Sequence, residues 1–133
     1  MSNQSVLSEF ISRLNVAKAG HFLSINVIET KIVLKVLNMF EELGIIRGFI
    51  LKDDKNIEVF LKYSRLGYCT FRSIRVVSTP GLRKYVNLQQ LYALKSETGK
   101  NSIFIISTQE GLLFDYECFL RRTSGEVLVC ICI

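Results

Sequence analysis

The stretch NSIFIISTQEGLLFDYECFLRRTSGEVLVCICI, residues 101–133, decides how the chain is read. Ile103–Ile106 is one apolar run and Leu112–Phe114 another, separated by Ser107, Thr108, Gln109, Glu110 and Gly111. Short apolar runs broken by a polar, glycine-bearing segment predict two strands and a loop. Residues 115–122 then predict a short helix, and residues 125–133 a buried strand. Strands interleaved with a short helix point to an α+β arrangement.

The polar segment has two local readings. In one, the strand delivers Ser107 and Thr108 into a tight tip, and Gly111 lets the backbone pass close to a partner. Such a tip suits an RNA minor groove, where short polar groups reach base edges and 2′-hydroxyls. In the other, Ser and Thr simply bond their own backbone, which is the reading the stretch alone favours.

Working towards the N-terminus, residues 5–18 predict a helix with Val6, Phe10, Ile11 and Leu14 on one face, ending near Gly20. FLSINVI (22–28) follows as a strand. Thr30 caps a second helix with Ile32, Val33, Val36, Leu37, Phe40 and Leu43 on its apolar face and Gly44 beyond its end. IIRGFILK and NIEVFLKYS flank a DDKN turn, which predicts a hairpin. The first half therefore reads αβαββ, packed on a mostly β second half with a short helix. RLGYC marks the boundary, giving an α/β part over 1–66 and a mostly β part over 67–133. Between them and the final stretch lie a strand at 70–78, a TPGL turn, a short strand at 83–88, and a helical turn running into a polar loop before residue 100.

Charge is unevenly placed. Residues 59–96 hold Lys62, Arg65, Arg72, Arg75, Arg83, Lys84 and Lys95 and no acid, so they carry the whole positive surplus of the +5 chain. Tyr63, Tyr68, Phe71, Tyr85 and Tyr92 are interleaved with them. Bases with aromatic platforms and no carboxylate favour a phosphate-contacting surface over an ordinary solvated face.

Nothing assembles catalytic chemistry. His21 is the only histidine, and Cys69, Cys118, Cys130 and Cys132 form no C-x-x-C pair, so they read as core thiols without zinc. Phosphate-binding glycine loops are missing. No cofactor, metal, small-molecule substrate or membrane partner is expected. The first 15 residues lack a cleavable apolar core, so no signal or transit peptide is expected.

Four motifs in order resemble a known family. IRVVSTPGLRKY resembles a strand, P-G-x-R turn and following Tyr; ISTQEGLLFDYE and SGEVLVCI resemble a signature loop, short helix and last strand; LSEFISRLN and KVLNMFEELGII resemble two N-terminal helices. Together they resemble the bacterial-type small-subunit ribosomal protein eight, the universal S-eight family. The resemblance implies a two-part α+β fold that binds an rRNA helix of the central domain, beside neighbouring ribosomal proteins, and supports assembly and translation. The family's loop usually reads Ser-Thr-Ser-Lys-Gly and enters the RNA minor groove. Ser107, Thr108 and Gly111 match it, Gln109 stands for the second Ser, and Glu110 for the Lys. Arg83, Tyr85 and Glu126 match family positions; Thr79 replaces a base and Ser124 a glycine. The expected rRNA-binding set is Ser107, Thr108, Gln109, Gly111, Arg72, Arg83, Lys84, Tyr85 and Glu126. The divergent loop and the A+T-like bias of 14 Ile and nine Phe against three Ala fit a protein made inside an organelle. A mitochondrial ribosome is favoured over a plastid or a bacterial cytoplasm. The rival function is a protein–protein module that docks the 107–111 loop and its apolar strands on a partner chain.

Overall fold

A computed structural model describes residues 3–99 and 101–133, and it is α+β. The chain forms two compact units, Met1–Arg72 and Ser73–Ile133, each with its own antiparallel sheet.

The first unit contains α1 (Asn3–Ala19), β1 (Ser24–Ile28), α2 (Lys31–Leu43), β2 (Ile46–Lys52) and β3 (Asn56–Leu61). Its sheet has the order β1-β3-β2. Strand alternation places Ile57, Val59 and Leu61 of the central strand in the core. The buried stripe of α1 is Leu7, Phe10, Ile11, Leu14 and Ala17, so Val6 lies at its margin rather than within it. Phe10 stacks on Phe40 of α2 with ring centroids 6.1 Å apart. Thr30 caps α2 by accepting from the Val33 N–H at 3.3 Å, and Gly44 ends the helix with φ +77°. The left-handed residue after α1 is His21 rather than Gly20: its φ is +56° and its N–H donates to the Lys18 carbonyl. The lone histidine thus terminates a helix.

The second unit contains β4 (Ser73–Val76), α3 (Leu88–Thr98), β5 (Ser102–Thr108), β6 (Gly111–Phe114), α4 (Asp115–Arg121) and β7 (Glu126–Cys132). The sheet order is β4-β7-β5-β6. One core cluster unites Val86, Leu91, Phe104, Ile106, Leu113, Cys118, Val127 and Cys130, with Leu94 and Phe119 packed against it. Phe104 pairs with Cys130 but Ile106 pairs with Val127, so β7 carries one extra residue, Leu128. This bulge resets the side-chain parity of the strand. Without it Val127 would share the face of Val129 instead of joining Cys130.

Two local expectations differ from the structure. Residues 88–98 form a three-turn helix, because Asn87 and Gln90 make a reciprocal cap: the Gln90 N–H donates to Asn87 Oδ1 at 2.8 Å and the Asn87 N–H to Gln90 Oε1 at 2.9 Å. The 83–88 segment is not a strand and contributes only an isolated bridge between Tyr85 and Glu126. Of the cysteines, Cys118 and Cys130 are buried, while Cys69 and Cys132 are only partly so.

Candidate nucleic-acid interface

The β5–β6 connection is a two-residue hairpin: Thr108 pairs with Gly111, leaving Gln109 and Glu110 at the tip. The Thr108 hydroxyl donates to the Gly111 carbonyl at 2.8 Å and accepts from the Glu110 N–H at 3.1 Å. For Thr108 this matches the local reading, in which the hydroxyl bonds its own backbone. Gly111 has φ +106°, a conformation that L side chains rarely adopt. Thr108→Ala is expected to cost about 1 kcal/mol of stability through the lost turn bonds. Thr108→Ser keeps both bonds and should be close to neutral, with urea denaturation of the three proteins as the comparison.

The register then assembles a row. Ser107 pairs with Glu126, and Glu126 is bridged to Tyr85. Paired residues project from the same face of a sheet. Since Ile106 and Val127 point into the helix-covered core, Ser107, Glu126 and Tyr85 point the other way, and Tyr85 is 62 % exposed.

Tyr85 is held there without a strand. Ser78, fully buried, accepts from the Lys84 N–H at 2.9 Å and donates to the Val127 carbonyl at 2.6 Å. The Val86 N–H donates to Gly125 and the Val127 N–H to the Lys84 carbonyl. Thr79 and Leu82 close the turn around Pro80-Gly81 through paired backbone bonds. The backbone of Lys84 is thereby pinned, while the side chains of Arg83 and Lys84 stay exposed. Gly125 faces Ser107 so closely that a Cβ there would overlap the Ser107 carbonyl oxygen. Within the chain the close backbone approach is at Gly125; a Cβ on Gly111 would meet open space, which leaves that side of the hairpin accessible.

Eight of the nine expected residues thus lie in the second unit, six of them on the β5–β6 hairpin or the row beside it, with Arg83 and Lys84 adjoining. Arg72 is the last residue of the first unit, where its carbonyl accepts from Lys18 Nζ. Six of the seven bases of residues 59–96 are exposed. The seventh, Lys95, is structural: its ammonium meets Asp115 Oδ2 at 2.8 Å and donates to the Ser102 carbonyl. The aromatics divide similarly. Tyr68, Tyr85 and Tyr92 are exposed, but Phe71 is core, and Tyr63 donates its hydroxyl to the Phe22 carbonyl at 2.6 Å.

The structural roles of Ser78, Gly125 and Lys95 were not legible in the sequence, because their partners Val127, Ser107 and Asp115 lie far along the chain. Burial, aided by nearby Asp115, pushes the Cys118 thiol up to about 11, so it stays protonated at neutral pH and is no nucleophile. Among the described residues no three His, Cys, Asp or Glu side chains cluster as metal ligands, and no helix is long and apolar enough to cross a membrane.

A family model described as ribosomal protein S8 matches residues 5–132. The small ribosomal subunit protein uS8m of Acanthamoeba castellanii is 41% identical over 126 residues, covering 94% of this chain and 97% of that protein. The small ribosomal subunit protein uS8 of Orientia tsutsugamushi (strain Boryong) is 30% identical over 132 residues, covering 96% and 97%. That of Helicobacter acinonychis (strain Sheeba) is 30% identical over 129 residues, covering 95% and 96%.

Proposed function

The chain belongs to the ribosomal protein S8 family, and on that premise we propose that its second unit binds a central-domain helix of small-subunit rRNA through the Ser107–Gly111 hairpin. The protein is a structural constituent of the small ribosomal subunit, not an enzyme, and its partners are rRNA and ribosomal proteins. Its similarity to uS8m assigns it to the mitochondrial ribosome. In binding that helix it supports subunit assembly and translation.

The observation that carries the reading is the row Tyr85–Glu126–Ser107 beside the hairpin. A hydroxyl, a carboxylate and an exposed aromatic ring on one face, next to Arg83 and Lys84, supply what single-stranded or irregular RNA offers partners for. The ring stacks on a base, the carboxylate accepts from a base amino group, and the hydroxyl reaches a 2′-OH. The arginine and lysine neutralise flanking phosphates. Gln109 adds an exposed amide at the tip, able both to donate and to accept.

Filter-binding titration against a transcript of the cognate small-subunit rRNA central domain tests this. Replacing Arg72, Arg83 and Lys84 together with Ala should weaken binding and flatten the log–log salt dependence by roughly 2–3 units, at about 0.7–0.9 per lost phosphate contact. An unchanged slope removes these bases from the interface. A folded wild-type chain that does not bind the transcript at low salt overturns this reading.

A further inference from the structure

Glu110 is the hairpin residue that an RNA-facing surface should tolerate least. It sits half-exposed at the tip, and a carboxylate within a Debye length of phosphate, about 8 Å at physiological salt, is repelled. Glu110 is paired, however. Arg121 Nη1 lies 3.6 Å from Glu110 Oε2, with the two side chains 53% and 50% exposed. Among the described residues this is the only ion pair at the hairpin.

The chain path explains the encounter. Helix α4 follows β6 directly, and Arg121 is its last residue, so the helix carries Arg121 back towards the tip. Arg122 then ends it in the left-handed conformation, its N–H donating to the Cys118 carbonyl. A solvent-exposed pair of this kind adds little to stability. Its effect is positional, because it holds a guanidinium at the tip. Arginine has five N–H donors, so one edge can face a carboxylate while the rest remain available to a phosphate oxygen. The location is also complementary. Ser107, Glu126 and Tyr85 occupy the face turned away from the core helices, whereas Arg121 approaches from the side of α4.

We propose that Arg121 is a phosphate contact of the RNA interface, drawn to the hairpin tip by Glu110 and cancelling the charge of that carboxylate. This rests on the RNA-binding reading above. A hairpin entering a groove would then carry its base-reading groups on one face and a backbone-neutralising cation on the other. Glu110 is the positioning residue and Arg121 the contact.

The test is a salt-resolved binding titration of the full chain with the central-domain transcript, using wild type, Arg121→Ala, Arg121→Lys, Glu110→Gln and the Glu110→Gln/Arg121→Ala double variant. Each is first checked for an unchanged thermal melt. Arg121→Ala should bind about tenfold more weakly near physiological salt, the scale of a charge-assisted contact, with a slope smaller by about 0.7–0.9. Arg121→Lys should keep the slope. Removing Arg121 should cost less in the Glu110→Gln background, where no carboxylate is left exposed to phosphate. If wild type binds and Arg121→Ala matches it, the proposal fails while the RNA-binding reading stands. Weaker binding with an unchanged slope, or equal losses in both backgrounds, also overturns it. A wild type that does not bind overturns the RNA-binding reading itself.

Discussion

Gly125→Ala is expected to lower the stability of the second unit by about 2–4 kcal/mol, because a single methyl would overlap the Ser107 carbonyl oxygen. The obstacle is backbone, which cannot rotate away as a side chain would. Relief requires residues 124–126 to move off β5, and that movement strains the Ser107–Glu126 pairing and the bond from Val86 to Gly125. The midpoint of urea denaturation should fall, and RNA binding should fall with it. Gly81→Ala is the control: a Cβ there meets open space, so the change should be within about 0.5 kcal/mol of neutral. Equal midpoints for the two variants would show that the 124–126 turn yields freely.

Lys95→Met should be comparably severe, at about 3–5 kcal/mol, for an electrostatic reason. The Asp115 side chain is 2% exposed, and Lys95 is its only cationic partner among the described residues. Removing the ammonium leaves a buried carboxylate with the Tyr116 N–H at 2.7 Å and the Phe104 N–H at 3.4 Å, too little to replace a charge. Lys95 also donates to the Ser102 carbonyl, so the change loosens the join of α3, α4 and β5. The double variant Lys95→Met/Asp115→Leu removes both charges and should recover most of the loss. A single variant as stable as wild type in urea would mean that water reaches Asp115 and the pair is dispensable.

The residues that were legible in the sequence are those whose partners lie nearby in the chain. Thr30 and Gly44 bracket α2 because capping is decided within one turn, and the DDKN and STQEG turns are set by their own residues. Helix α3 was harder to see. Its cap begins at Asn87, inside a segment that reads as strand, and Leu91 is its only fully buried residue, so helical periodicity is weak. The α4 segment, by contrast, starts with acids and ends with arginines, as a short helix should. The site was legible as a set of residue types but not as an arrangement. Ser107, Glu126 and Tyr85 are adjacent only through strand register, and register depends on the bulge at Leu128, which no local pattern announces. The basic run likewise mixes exposed cations with Lys95, whose task is set by an acid 20 positions further on.

The order of strands in the second sheet bears on when the protein can act. Synthesis is vectorial, and β7 is made after β4, β5 and β6, yet it lies between β4 and β5. Until β7 emerges, β4 has no strand neighbour and only the β5–β6 hairpin can form. Gly125 and Glu126, which align Lys84–Val86 with Ser107, belong to the same late segment. A nascent or prematurely terminated chain therefore carries the hairpin without the row beside it. On the proposed reading, a chain that lacks β7 presents the hairpin unsupported by Glu126 and Tyr85, so the full RNA-facing arrangement exists only once β7 is in the sheet.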